Sequence, residues 1–238
     1  AQSASSFTTE QFTFFIGTMA LMAASAFFFL SLSQFDKKWR NSVLVSGLIT
    51  FIAAVHYYYM NTNAIEGGTA GNITSIRYID WILTVPLMCV EFYLILKVAG
   101  ATTKHLRNLI VLSLIMLVTG YVGETTGKSS AALWGLFSGL AYFAIVYMIK
   151  FGSLAKLAKS AGGSVEKAHN TLIWFVVAGW AIYPLGYMIG TAEGQWYSFM
   201  DIESASASTM NIIYNIGDAV NKIGFGLVVY ALAVKETK

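Results

Sequence analysis

Tyr214-Asn215-Ile216-Gly217-Asp218-Ala219-Val220-Asn221-Lys222-Ile223-Gly224-Phe225-Gly226 lies inside a largely apolar stretch that runs from Met210 to Val234. A helix needs about 20 such residues to cross a bilayer, so the stretch is long enough. A lysine in the middle of a span costs roughly 3 kcal/mol on insertion scales. Lys222 therefore needs a reason to be there. Asp218 precedes it by one helical turn, on the same face. A buried ion pair that helps helices pack is one reading. A reactive amine is the other, because a buried lysine loses its charge readily and forms a Schiff base with an aldehyde. Asp218 would then be the counterion of the protonated imine.

The composition sets the class. Of 238 residues, 56% are hydrophobic and only 11% are charged, against about 25% charged in ordinary globular domains. Seven apolar segments follow one another, at roughly 8–33, 42–62, 74–98, 106–123, 130–150, 170–191 and 208–234. Each approaches or exceeds the length of a membrane span. The expectation is an all-α membrane protein, one seven-transmembrane-helix bundle over residues 1–238. The ~10-residue alternating segments of a barrel are not present.

The positive charges are unevenly placed. Lys37, Lys38, Arg40, Lys97, Lys104, Arg107, Lys150, Lys156, Lys159, Lys167, Lys235 and Lys238 fall in or beside the first, third and fifth connections and the C-terminal tail. Outside the spans, the opposite side keeps only Lys128. The positive-inside rule then puts the N-terminus outside and the C-terminus in the cytoplasm. The same bias explains the basic balance without a nucleic-acid partner. Cys89 is the single cysteine, which leaves no intrachain disulfide and no cysteine metal site.

The third span carries Arg77, Asp80, Thr84 and Glu91. On a helical wheel at about 100° per residue, Thr84 and Glu91 fall within about 40° of Asp80, and Arg77 about 60° to the other side. Three charged groups and a hydroxyl on one face of an apolar span suggest a path. Asp80 lies toward the outside, and Glu91 lies about 16 Å further toward the cytoplasm. His56, in the second span, reaches about the level of Asp80, so the two are expected to meet. Alone, an intramembrane histidine can equally be a hydrogen-bonded packing residue.

Other features read more blandly. The first span holds Phe27-Phe28-Phe29 and suits lipid and packing contacts. Tyr57, Tyr58 and Tyr59 suit an interfacial belt. Residues 63–72 read as a polar loop, with a hairpin as one option, and 151–169 as a basic connection. Glu124 and Lys128 are expected to be solvated at a turn. Gly120, Gly135 and Gly139 would let helices approach closely. In the sixth span Trp180, Tyr183 and Tyr187 share one helical face beside Pro184. Pro184 and Pro86, the only prolines, each permit a kink.

Together these motifs resemble the microbial rhodopsins, and the third-span set resembles their proteorhodopsin branch. The likeness extends to Gly179-Trp180-Ala181-Ile182-Tyr183-Pro184 and to Asn215…Asp218…Asn221-Lys222. It implies all-trans retinal on Lys222 as a protonated Schiff base. Asp80 would be primary counterion and proton acceptor, Asp218 the second counterion and Glu91 the proton donor. Arg77 would complete a near-neutral quartet of buried charges. His56 would partner the acceptor. Trp81, Trp180, Tyr183, Pro184 and Tyr187 would line the retinal pocket, with Trp134 and Tyr142 as further candidates. Met88 falls at the colour-tuning position, where an apolar residue implies green absorption and glutamine blue. The connection between His56 and Arg77 is about two residues longer than in the proteorhodopsins.

The function implied is a light-driven outward proton pump, a transporter rather than an enzyme, in a bacterial inner membrane. Ring-shaped pentamers or hexamers follow from the resemblance. Burial without a cation partner suits Glu91 to wait as a neutral acid. Sodium or chloride pumps replace the acceptor aspartate and the donor glutamate with neutral residues, which Asp80 and Glu91 oppose. A sensory photoreceptor often lacks the donor, and again Glu91 argues against it. Glu124 and Glu193 are the candidate proton-release groups.

Overall fold

The computed structural model describes residues 7–200 and 205–237. Lys238, counted above among the tail charges, lies outside the described residues. Nearly all of the described chain is helical. The helices are α1 (Thr9–Ser31), α2 (Lys37–Ile65), α3 (Ala70–Leu96), α4 (Thr103–Thr125), α5 (Lys128–Lys150), α6 (Ser153–Ala161), α7 (Gly163–Trp174), α8 (Ile182–Gly190) and α9 (Ala207–Thr237). A five-residue π-helical segment, Phe175–Gly179, follows α7. Among the described residues, seven helical segments are long and apolar enough to cross a membrane, the fifth continuing into α6 and the sixth combining α7 and α8. Helices answer the absence of water in the bilayer core by satisfying every backbone group internally.

Two connections are shorter than the sequence suggests. α2 runs on to Ile65 and α3 begins at Ala70, so helix takes up most of 63–72 and no hairpin forms. Thr69 caps α3, its hydroxyl accepting from the Asn72 N–H at 3.3 Å, which fixes the start of that helix. The stretch 151–169 is likewise mostly helix, broken at Gly162, whose φ of 63° suits glycine.

Consecutive helices pack side by side, and α9 returns against both α1 and α2. The interior is aromatic and aliphatic, with Phe28, Trp39, Phe92 and Phe225 fully buried. Polar groups in it are tied down locally. Thr18 donates to the Phe14 carbonyl at 2.8 Å and Thr50 to the Ser46 carbonyl at 3.0 Å. Such back-bonds satisfy a hydroxyl that would otherwise be costly in apolar surroundings.

The sixth span is the irregular one. Trp180 N–H reaches back five residues to the Phe175 carbonyl at 2.9 Å. This wider turn releases carbonyls from the ordinary ladder. The Tyr142 hydroxyl donates to the carbonyls of Val176 and Val177, at 3.0 and 3.1 Å. Asn221 Nδ2 donates to the Gly179 carbonyl at 3.0 Å. A Cβ at Gly179 would lie 2.1 Å from Asn221 Oδ1, so only glycine admits that contact. The segment is thus pinned from α5 and α9, and it turns Trp180 toward the bundle centre.

Candidate functional site

Lys222 sits at that centre, 3% exposed. Its Nζ is 2.5 Å from Asp80 Oδ2 and 3.3 Å from Asp218 Oδ2. The two carboxylates differ in their other partners. Asp218 also accepts from the Tyr57 hydroxyl at 3.0 Å, the Trp81 indole at 3.2 Å and the Tyr183 hydroxyl at 2.5 Å. Asp80 Oδ1 has no hydrogen-bond partner among the described residues. His56 Nδ1 lies 3.9 Å from that oxygen and donates instead to the Ile52 carbonyl, at 2.8 Å. Thr84 Oγ1 donates to the backbone carbonyl of Asp80, at 2.9 Å, and not to its carboxylate.

Arg77 stands one turn before Asp80 and is buried. Among the described residues it forms no ion pair. Its Nη2 donates to Asn215 Oδ1 at 3.0 Å and Asn211 Oδ1 at 3.1 Å. Its Nη1 reaches the Tyr57 hydroxyl at 3.5 Å. The rings of Phe14, Tyr57 and Tyr214 surround the guanidinium at 5.7, 6.0 and 5.2 Å, close enough for cation–π attraction. The quartet of charges is therefore a contact trio with a separate arginine beyond it.

Glu91 is fully buried on the same face of α3. Its Oε1 accepts from Ser46 Oγ of α2 at 2.8 Å. No cation faces it within ion-pairing distance among the described residues.

A cavity of about 590 Å³ ends at Lys222. Trp81, Met88, Trp180, Tyr183, Pro184 and Tyr187 all line it. Tyr142 lines it too, whereas Trp134 does not and packs on Phe137 instead. Tyr187 is held between two glycines: a Cβ at Gly123 would meet its hydroxyl at 1.9 Å, and one at Gly135 its ring at 2.7 Å. Gly139 lines the cavity itself and meets no protein atom within 4 Å, so it allows no such approach. Glu124, expected at a solvated turn, lines the cavity and accepts from the Tyr78 hydroxyl at 2.9 Å. Lys128 is exposed and pairs with exposed Glu193.

Comparison with known proteins places this geometry. The family model described as bacteriorhodopsin-like protein matches residues 8–236. The green-light absorbing proteorhodopsin of Gamma-proteobacterium EBAC31A08 is 41% identical, over 94% of this chain and 86% of the relative. The blue-light absorbing proteorhodopsin of Gamma-proteobacterium Hot 75m4 is 40% identical over the same shares. The crystal structure of the blue light-absorbing proteorhodopsin from Med12 superposes with a TM-score of 0.77 at 35% identity, over 95% of this chain and 98% of that one. This chain belongs to the bacteriorhodopsin-like family, on its proteorhodopsin branch.

Within this family the chain is a retinal protein and a light-driven proton pump, a multi-pass transporter of the bacterial inner membrane. The residues present fit retinal. At about 590 Å³ the cavity lies within the roughly 300–1,000 Å³ of ligand sites. Its walls are mostly aromatic and aliphatic, which suits a polyene, and the buried amine of Lys222 would take the aldehyde end. Two carboxylates beside that amine suit a positively charged imine.

Some of this rhodopsin's polar centre escapes a reading of the sequence. Tyr57, expected in an interfacial belt, is fully buried on Asp218, while Tyr58 and Tyr59 are exposed. Of the three, Tyr57 has the helical phase that faces inward. Asn211 belongs to a legible stripe, since 211, 215, 218 and 222 recur at four, three and four residues. Glu10 lies in the first turn of α1, a helix expected to offer only packing surface, and accepts from Asn211 Nδ2 at 2.6 Å.

Proposed function

We propose that this chain carries protons outward, from Glu91 on the cytoplasmic side through Lys222 to Asp80 on the outer side. The single observation behind the reading is the 2.5 Å contact of Lys222 Nζ with Asp80, set against Glu91 about 16 Å further along the same helix face. Retinal bound to Lys222 would supply light absorption and isomerisation, and Lys222 Nζ would hold the proton that moves. Asp80 takes that proton, being the nearer carboxylate and the one with an uncommitted oxygen. Asp218 keeps its charge under three donors from Tyr57, Trp81 and Tyr183 and remains the second counterion. Glu91, neutral beside Ser46, returns a proton to Nζ. His56 and Thr84 act on Asp80 indirectly, through its side chain and its backbone respectively.

The direction rests on an N-terminus outside and a C-terminus in the cytoplasm, supported by the clustering of lysine and arginine. The whole chain then works as one retinal-binding domain. Met88 against the cavity supports green absorption. A ring-shaped pentamer or hexamer belongs to the same proposal by family likeness alone, and light scattering on the solubilised protein tests it.

The test of transport is the pH of an unbuffered suspension of cells expressing the chain with retinal. Acidification in the light, abolished by a protonophore, is expected. Alkalinisation enhanced by the protonophore would mean that another ion is moved. Coloured cells with no pH change would point to a sensory photoreceptor.

A further inference from the structure

Arg77 is always charged, because a guanidinium does not deprotonate in a protein. It is 2% exposed, and a buried charge needs a counterion. Asp80 and Asp218 are engaged with Lys222, and the direct partners of Arg77 are neutral amides and a phenol. One amide further on stands a carboxylate. Asn211 accepts from Arg77 through Oδ1 at 3.1 Å and donates through Nδ2 to Glu10 Oε1 at 2.6 Å. The neighbouring branch has the same form: Asn215 accepts from Arg77 at 3.0 Å and donates to Thr13 Oγ1 at 3.0 Å. Thr13 in turn donates to the Glu10 carbonyl at 2.8 Å. Both branches end on the first turns of α1.

We propose that Glu10 is the outer counter-charge of Arg77 and positions it, through Asn211, away from the Lys222–Asp80 pair while the proton moves. This rests on the reading of the chain as an outward proton pump. The alternative position for the guanidinium is inward. Tyr57 already bridges it to Asp218, at 3.5 and 3.0 Å, and Asp80 lies one turn along α3. An arginine drawn onto Asp80 would hold that carboxylate as the anion and oppose its taking the proton from Nζ. Glu10 is thus a positioning residue. It acts through Asn211 on Arg77 and touches neither Lys222 nor Asp80.

Glu10→Gln separates charge from shape, because the amide keeps an Oε1 acceptor for Asn211. The experiment follows light-triggered proton release with a pH-indicating dye on retinal-loaded protein in lipid vesicles, with the visible band as the check on folding. Release in Glu10→Gln is expected to be about tenfold slower than in the unaltered chain. Asn211→Leu should give a similar delay, and the double variant should be no slower than either alone. Release in Glu10→Gln on the unaltered time course would overturn the role of Glu10, as would delays that multiply in the double variant. Absence of release from the unaltered chain would instead overturn outward pumping itself.

Discussion

Lys222 Nζ stands 2.5 Å from Asp80 Oδ2 and 3.3 Å from Asp218 Oδ2, so its two carboxylates are not equivalent. Asp80 depends on the amine for its only side-chain hydrogen bond among the described residues, whereas Asp218 is held by three other side chains. Removing one partner of a buried ion pair costs about 3–5 kcal/mol. Asp80→Asn should therefore abolish light-driven acidification and lower the melting temperature. Lys222→Ala should leave the protein colourless with retinal present. Absorption spectra and the cell-suspension assay check both.

Glu91 accepts a hydrogen bond from the Ser46 hydroxyl of α2. A positioned acid contributes about 10²–10⁴-fold to proton transfer. Glu91→Gln should slow recovery of the dark-state spectrum after a flash by about a hundredfold or more. Ser46→Ala should slow it by less, since the acid stays in place. Flash spectroscopy gives both rates.

Gly123 and Gly135 leave the room that Tyr187 occupies. Overpacking a closed interior costs typically about 1–3 kcal/mol. Gly123→Ala should displace Tyr187, whose hydroxyl donates to the Ala131 carbonyl at 2.5 Å. A weaker visible band and a lower melting temperature are expected. Gly139→Ala meets no protein atom within 4 Å but points a methyl at the cavity Gly139 lines, so it should shift the visible band and leave the melting temperature unchanged.

Glu193, a release candidate from sequence, is an exposed surface residue outside the spans. Lys128 beside it holds its carboxyl below the usual carboxylate range. A depressed value in the folded state stabilises above the unfolded pKa and is lost as pH falls through the folded one. Both partners are largely exposed, at 63% and 78%, and solvent screening leaves such pairs little weight. Glu193→Gln should leave the melting temperature at neutral pH and the release time course unaltered. A delay in release would return Glu193 to the pathway.

Met88→Gln should move the absorption maximum toward blue, because it places an amide on the cavity wall. A band that stays in place would remove Met88 from colour tuning.

The seven apolar runs, the Lys222–Asp218 turn and the Arg77–Asp80–Glu91 stripe were legible because burying charge in a span leaves a strong mark. Helical phase was enough to put Asp80 and Glu91 on one face and about 16 Å apart, while the pairing of Asp80 with Lys222 was implied by the resemblance. What stayed hidden depends on neighbours from other helices. Glu10 on α1 reads as an ordinary first-turn carboxylate until Asn211 reaches it from α9. Glu124 looks like a turn residue until Tyr78 closes over it. Residues 63–72 look longer as a loop than they are because Asn63 and Asn72 are polar, although helix ends tolerate polar residues.

The π-helical segment of the sixth span inserts one residue into the register. Deleting a single residue there would let an ordinary turn form with the phase beyond it unchanged, whereas winding all of 175–179 as an ordinary turn would rotate everything beyond it by about 100°. Trp180, Tyr183 and Tyr187 would then face elsewhere, with no side chain of the site having been substituted. The colour of this protein is in that sense a matter of winding: its chromophore wall exists only with the wide turn in the sixth helix.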